Sequence, residues 1–306
     1  MKFSEFTEIA NCPLCEGREY RVLKPANYPT HLSGKDLLQT YSSSSDHVLM
    51  DQLVACKECG LAYLSPRVRS DIILKSYSDA VDPTFVKQNP FRISTFGRNL
   101  GDLSRRQKIT PGPARKILDI GCASGAFLKA ASDLGFSTVG VEPSRWMCEF
   151  GKKEYGLDLR QGTLEDHRFQ DGEFDMVTLW DVIEHLVDPK KTLAEAERVL
   201  KEDGLLIVNY PDFGSFASRI LGRKWPFLLS VHLIYFTPAT IRRLLSKCGF
   251  EVVELRPYWQ TLELGYVMQR AIPYFAFFRW MEKIVNALGM GKVPFRYQIG
   301  QSMVVA

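Results

Sequence analysis

The stretch Ile117-Leu-Asp-Ile-Gly-Cys-Ala-Ser-Gly-Ala-Phe127 limits the fold more than any other part of this 306-residue chain. An apolar run ends in a turn of small residues, with glycines at Gly121 and Gly125. A helical pattern takes over at Ala126. Such a strand–loop–helix unit leaves backbone N–H groups bare at a helix start, where a ligand can approach closely. Taken alone, the loop says no more than that. What stands before and after it narrows the ligand.

From Arg115 onward, strand and helix patterns alternate. Strands are predicted over 116–120, 137–141, 176–180 and 205–209, with 250–255 and 295–305 later. Helices are predicted over 126–134, 145–154, 189–200 and 238–248. The strands are apolar with little alternation, which fits a parallel sheet covered on both faces. The expected fold class is therefore α/β: a doubly wound, mostly parallel, Rossmann-like sheet that binds ligands at the carboxyl ends of its strands. Three regions are expected. Residues 1–66 form a small module. Residues 67–113 form a helical linker, broken at Pro83 and Pro90 and closing in Thr110-Pro-Gly-Pro113. Residues 114–306 form the main domain, with a helical insertion over 261–292.

Charge excludes some functions. The chain has 39 basic and 35 acidic side chains, and no dense basic block. That gives no strong nucleic-acid signal. No stretch is apolar enough to span a membrane, and the first residues lack a signal-peptide core, so a cytoplasmic protein is expected. The insertion is aromatic: Ala271-Ile-Pro-Tyr-Phe-Ala-Phe-Phe-Arg-Trp-Met281, then Ile284, Val285 and Leu288. The favoured expectation is packing on the core. The alternatives are a lid over an apolar substrate, or a helix resting peripherally on the inner membrane face. There Arg270, Arg279, Lys283 and Lys292 would meet anionic headgroups.

Two acids frame the loop. Asp119 precedes it, and Glu142 ends the next strand, about 20 residues on, where a ribose-binding acid belongs. Glu142 offers two acceptor oxygens to two vicinal hydroxyls. Asp119 would repel a pyrophosphate and attract a cation. The loop also lacks the Gly-x-Gly-x-x-Gly form. Together these features favour S-adenosylmethionine, with its ammonium and sulfonium, over a dinucleotide.

Here the chain resembles the class I S-adenosylmethionine-dependent methyltransferases. The likeness lies in an ordered series: Leu118-Asp-Ile-Gly-Cys-Ala-Ser-Gly-Ala-Phe127, Gly140-Val-Glu-Pro-Ser144, Phe174-Asp-Met-Val-Thr-Leu-Trp-Asp-Val-Ile-Glu-His-Leu-Val-Asp-Pro189, Val199-Leu-Lys-Glu-Asp-Gly-Leu-Leu-Ile-Val208 and His232-Leu-Ile-Tyr-Phe-Thr-Pro238. The resemblance implies roles. Asp119, Gly121, Ala123 and Gly125 would face the methionine part, and Glu142 would hold the ribose. Leu164 and Glu165, within Thr163-Leu-Glu-Asp166, would flank the adenine. Trp180 and Asp181 would line the cofactor floor. Many relatives carry an acid where this chain has Thr163, so Glu165, Asp166 or backbone contacts must serve the adenine amino group.

The pairs Cys12-Pro-Leu-Cys15 and Cys56-Lys-Glu-Cys59 have zinc-ribbon spacing. Four thiolates would close a structural Zn²⁺ site with no open position. His31 and His47 lie between the pairs and are not needed. A similar module precedes the methyltransferase domain in sugar C-methyltransferases acting on nucleotide-linked deoxysugars and in polysaccharide-associated methyltransferases. That implies a nucleotide- or lipid-linked sugar, or a surface glycoconjugate, as acceptor.

Methyl transfer needs a group that takes a proton from the acceptor. Candidates are Glu184, His185 and His232, with Asp181 close by and Tyr210 and Tyr235 behind. Either histidine could act as general base. Alternatively, Asp181, Glu184 and His185 could bind a divalent metal such as Mg²⁺, as similar patterns do in the ubiquinone-biosynthesis O-methyltransferases and the small-RNA 2′-O-methyltransferases. That alternative implies a quinone, phenol or polyprenyl-linked acceptor. RNA is the least favoured substrate.

Overall fold

A computed structural model describes residues 5–28, 40–41, 47–79 and 81–306. His31 and the serine run 42–45 lie outside the described residues. The main sheet has seven strands: β1 (Lys116–Ile120), β2 (Ser137–Glu142), β3 (Asp158–Gln161), β4 (Phe174–Trp180), β5 (Leu200–Pro211), β6 (Glu254–Pro257) and β7 (Gln301–Val305). Their order across the sheet is β3-β2-β1-β4-β5-β7-β6. β1 to β5 run parallel, and β7 lies antiparallel to both β5 and β6. The Rossmann-like, mostly parallel sheet is thus the one expected. The chain leaves β1 toward one edge and returns at β4 to build toward the other. The carboxyl ends of β1 and β4 therefore flank the crevice where such sheets bind ligands.

The helices between strands are amphipathic and capped. Ser144 starts Arg145–Tyr155 by accepting the Met147 N–H. Asp188 does the same for Pro189–Val199 through Lys191. Both caps satisfy donors that a helix start leaves bare.

Three elements depart from expectation. β3 reads Asp-Leu-Arg-Gln, with one buried apolar side chain, Leu159. It is an edge strand, so it carries little of the apolar signal of a strand buried on both faces. The predicted strand 295–305 is two strands. Pro294–Tyr297 pairs with Gln260–Glu263 in a hairpin of its own, and Gln301–Val305 enters the main sheet. Pro83 and Pro90 open helices Pro83–Lys87 and Asn89–Arg106 instead of breaking one, because a proline at a helix start forfeits no hydrogen bond.

The insertion forms helices Leu264–Ala271 and Phe278–Ala287 inside that hairpin. Core packing, the favoured expectation, fails for the second helix. It buries no residue, and Phe277, Trp280, Ile284 and Leu288 stand exposed along one side. Among the described residues no helix is long and apolar enough to cross a membrane.

The N-terminal segment does not stand apart. Tyr20–Lys24, Leu53–Cys56 and Ala62–Leu64 form an antiparallel sheet whose fourth strand, Ile234–Tyr235, comes from the α/β region. Tyr63 pairs with Ile234, and one hydrophobic core runs through both parts.

Candidate active site and cysteine cluster

The loop after β1 is held in a conformation few residues tolerate. Gly121 and Gly125 have φ of 66° and 79°. A Cβ at Gly121 would stand 2.6 Å from Val182 Cγ2, and one at Gly125 would stand 2.5 Å from Leu157 Cδ1. Ala123 between them has φ 46°, and Asp181 after β4 has φ 54°. Two non-glycine residues in the left-handed region face each other across the switch point, and such outliers cluster at ligand sites.

Glu142 locks this loop. Its Oε2 accepts the Ala123 N–H at 2.9 Å, and its Oε1 accepts the Ser144 N–H at 2.8 Å. Each oxygen keeps a further lone pair, so ribose hydroxyls can still donate to it. Burial raises its pKa, and the two N–H bonds oppose that rise. Asp119 differs from expectation. It is 1% exposed and lies beneath the loop, where the Thr178 hydroxyl donates to it at 2.6 Å. Burial pushes its pKa up to about 8, against the Thr178 bond.

The adenine side is also corrected. Glu165 accepts the Thr192 hydroxyl at 2.9 Å, and Asp166 caps Thr163 through both N–H and hydroxyl. Both carboxylates are already engaged locally. Leu164 is fully buried, so only its backbone could flank a ring.

Trp180 stands in an aromatic cluster with Phe96, Phe127 and Tyr258, at ring separations of 5.1–5.5 Å. Its indole N–H is buried without a partner. Asp181 is reached by solvent but recessed, and protein crowding raises its pKa to about 6. Gln301 donates to its Oδ1 at 2.9 Å.

Beyond Asp181 lies a second group of donors. Glu184, His185 and His232 each place a ligand atom within 4.8 Å of the others. Glu184 is 2% exposed, and neither carboxylate oxygen has a hydrogen-bond partner. Burial, with Asp181 nearby, raises its pKa well above the ordinary carboxylate range. His185 Nδ1 lies 3.0 Å from the Val231 carbonyl oxygen and 2.8 Å from the Tyr77 hydroxyl. His232 Nδ1 lies 2.9 Å from the Phe227 carbonyl oxygen. A carbonyl oxygen can only accept, so both Nδ1 atoms carry the proton and both Nε2 atoms keep a lone pair. Burial lowers the His185 pKa to about 4 and pushes that of His232 well below the ordinary range.

Residues 91–255 match the model of a methyltransferase-domain family. The chain belongs to that family. It is a class I S-adenosylmethionine-dependent methyltransferase, and S-adenosylmethionine is its cofactor. Among similar proteins is a ubiquinone biosynthesis O-methyltransferase of Azorhizobium caulinodans, 29% identical over 55% of this chain and 72% of its own length. The Aromatoleum aromaticum protein of the same name is 25% identical over 58% and 79%. Among solved structures, a methyltransferase from Archaeoglobus fulgidus is 18% identical, with a TM-score of 0.48 over 74% of this chain and 99% of that one.

The methyltransferase brings together residues the sequence separates. Leu233 N–H donates to the Glu184 carbonyl at 2.8 Å, which carries His232 to the turn after β4. Asp181, expected beside Glu184 and His185 as a metal ligand, is not part of the cluster, because its backbone turn points it to Gln301. Tyr77, Asn89 and Arg92 were missed. They come from helices Ser70–Ser78 and Asn89–Arg106, in the segment read as a linker. Asn89 Nδ2 donates to Ser124 in the loop at 2.9 Å. The signal available was the Asn89-Pro90 helix start, placed to cover the loop.

The four N-terminal cysteines also converge, with ligand atoms within 4.8 Å of one another. Cys12 and Cys59 sulfurs are 3.4 Å apart, as are those of Cys15 and Cys56. A disulfide would need about 2.05 Å, so all four are free thiols. Burial raises the Cys12 pKa strongly and that of Cys59 to about 11, while N–H bonds from Glu58 and Cys59 help to lower that of Cys56 against burial.

Proposed function

We propose that this methyltransferase methylates a hydroxyl oxygen of a small-molecule acceptor, with a divalent ion held by Glu184, His185 and His232. The observation that carries this reading is the pair of orphaned, buried Glu184 oxygens in a cluster with two imidazoles, whose ligand atoms lie within 4.8 Å of one another. An unpaired buried carboxylate is costly, and a cation relieves that cost. The carbonyl bonds at both Nδ1 atoms are the outer-shell contacts that orient histidine ligands. Two imidazoles and one carboxylate suit Mn²⁺, Fe²⁺ or Zn²⁺ better than the Mg²⁺ first expected. A cation there would lower the pKa of an acceptor hydroxyl. The O-methyltransferase names of the relatives support this reading over C-methylation of a sugar.

The cofactor supplies an electrophilic methyl group when bound. Glu142, with a lone pair left on each oxygen, would accept the ribose hydroxyls; the loop from Gly121 to Gly125 would carry the methionine part, and Trp180 and Asp181 would close the floor toward the acceptor. With Tyr77 at Nδ1, His185 is held in one orientation. His185 or His232 could take the acceptor proton if no ion is used.

The test is a Mn²⁺ titration followed by electron paramagnetic resonance, paired with transfer of labelled methyl to catechols and to sugar nucleotides. One Mn²⁺ per chain, lost in His185→Ala, supports the reading. Full methyl transfer in excess chelator would sink it.

Two further assignments belong to this reading. Four thiolates around Zn²⁺ at about 2.3 Å have S···S edges near 3.8 Å, which the cysteine cluster fits. The cysteines are therefore assigned a structural zinc. The exposed side of Phe278–Ala287, with Arg279 and Lys283 on the same helix, suits peripheral contact with an anionic lipid surface.

A further inference from the structure

We propose that the acceptor carries an anionic group, a phosphate or a carboxylate, and that Arg92 receives it with Arg270 alongside. The proposal rests on the reading above, because it takes the side of the cofactor loop that Asn89 covers as the acceptor side.

Arg92 lies one turn into helix Asn89–Arg106, whose first residue is tied to the glycine loop. The residue is half-buried and recessed. One guanidinium N–H donates to the Phe85 carbonyl at 2.9 Å, and the group lies 3.6 Å above the Phe85 ring. Arginine has five donors and keeps its charge. None of the ion pairs among the described residues includes Arg92. On the same helix Arg98 is also without an ion pair among the described residues, but it is engaged by the Thr261 hydroxyl. Arg106 and Arg256 are paired with Asp102 and Glu254. Asp181 attracts Arg92, but at more than ion-pair distance. A half-buried cation with no carboxylate in contact gains from a ligand that supplies the anion.

The walls fit a ligand. The hairpin Gln260–Glu263/Pro294–Tyr297 docks on the same helix. Thr261 N–H donates to Thr95 at 3.1 Å, and Arg98 donates to Thr261 at 2.8 Å. This docking brings Tyr297, Tyr266 and Arg270 into the electrostatic reach of Arg92. The Arg270 guanidinium lies 5.7 Å from the Tyr266 ring. Two cations and two phenols thus gather within electrostatic reach of Asp181. Guanidinium groups match phosphate and carboxylate oxygens in pairs.

The test uses the full chain saturated with S-adenosylhomocysteine and titrated calorimetrically with inorganic pyrophosphate, with benzoate and with neutral phenol. Wild type is expected to bind at least one anion more tightly than phenol. Arg92→Gln should weaken that binding at least tenfold and Arg270→Gln severalfold, both with unchanged S-adenosylhomocysteine affinity. Arg92→Lys should keep part of it. Preference for pyrophosphate assigns a phosphate-bearing acceptor, such as a nucleotide-linked sugar. Preference for benzoate assigns an aromatic acid. Absence of anion binding in wild type, or equal binding in Arg92→Gln and wild type, overturns the proposal. Mn²⁺ plays no part in these titrations, so the metal reading can fail while this inference stands, and the reverse.

Discussion

Among its described residues the methyltransferase has two clusters of metal-type donors, and they are built on opposite plans. The cysteine cluster gathers four soft ligands on two tight turns, with its sulfurs already close. It leaves no position for a substrate. The Glu184–His185–His232 cluster gathers three donors, one of them an acid with no partner, beside a crevice. One arrangement resembles a rivet and the other a socket. Closed shells hold structure, and open ones do chemistry.

Breaking each cluster should therefore have different consequences. The largest effect is expected for Cys59→Ser. Loss of one thiolate should cost more than about 3 kcal/mol, read as a fall in unfolding temperature together with loss of bound zinc. Next comes Glu184→Ala. It should cut Mn²⁺ affinity by about 100-fold while leaving the metal-free protein as stable as wild type, or more stable, since a buried unpaired carboxylate goes. A large thermal destabilisation in that variant would erase the distinction between the clusters.

The two cofactor-site carboxylates sharpen the contrast further. Glu142 is held by two N–H groups, so Glu142→Gln should weaken S-adenosylhomocysteine binding about tenfold, the worth of one or two charge-assisted bonds. Asp119 should give a smaller effect, seen in pH. Its pKa of about 8 lies above the ordinary aspartate value of 3.8. The apo fold is therefore favoured below the lower value and loses that stability as pH rises toward 8. A cationic ligand needs the ionised form, so cofactor affinity should climb severalfold from pH 6 to 8, with proton release. Calorimetry in two buffers measures that release, and Asp119→Asn should remove it. The smallest effect belongs to the insertion. Trp280→Ser should lower co-sedimentation with anionic vesicles a few-fold and leave cofactor binding untouched.

What could be read from the sequence follows these physical differences. β1, its loop and Glu142 were legible because an apolar run, two glycines and an acid at fixed spacing are local signals. The cysteine pairs were legible for the same reason. β3 was not, because an edge strand with one buried side chain carries little pattern. The Glu184–His232 contact was not, because one backbone hydrogen bond across a long connection makes it. Glu165 and Asp166 were ambiguous, because an acid near the adenine loop looks alike in sequence whether it faces a ligand or caps its own turn. Arg92 was not legible for a related reason: nothing in a sequence marks an arginine that lacks an ion-pair partner.

The strand Ile234–Tyr235 has a consequence for how the molecule is made. It is the fourth strand of a sheet whose other three lie within the first 64 residues. During synthesis those strands must wait, with an edge unpaired, until residue 235 has left the ribosome. The unpaired edge is a period of risk for association between nascent chains. Strands that emerge early are therefore among the last to be completed, and early capture of zinc by the cysteines would hold them in register meanwhile.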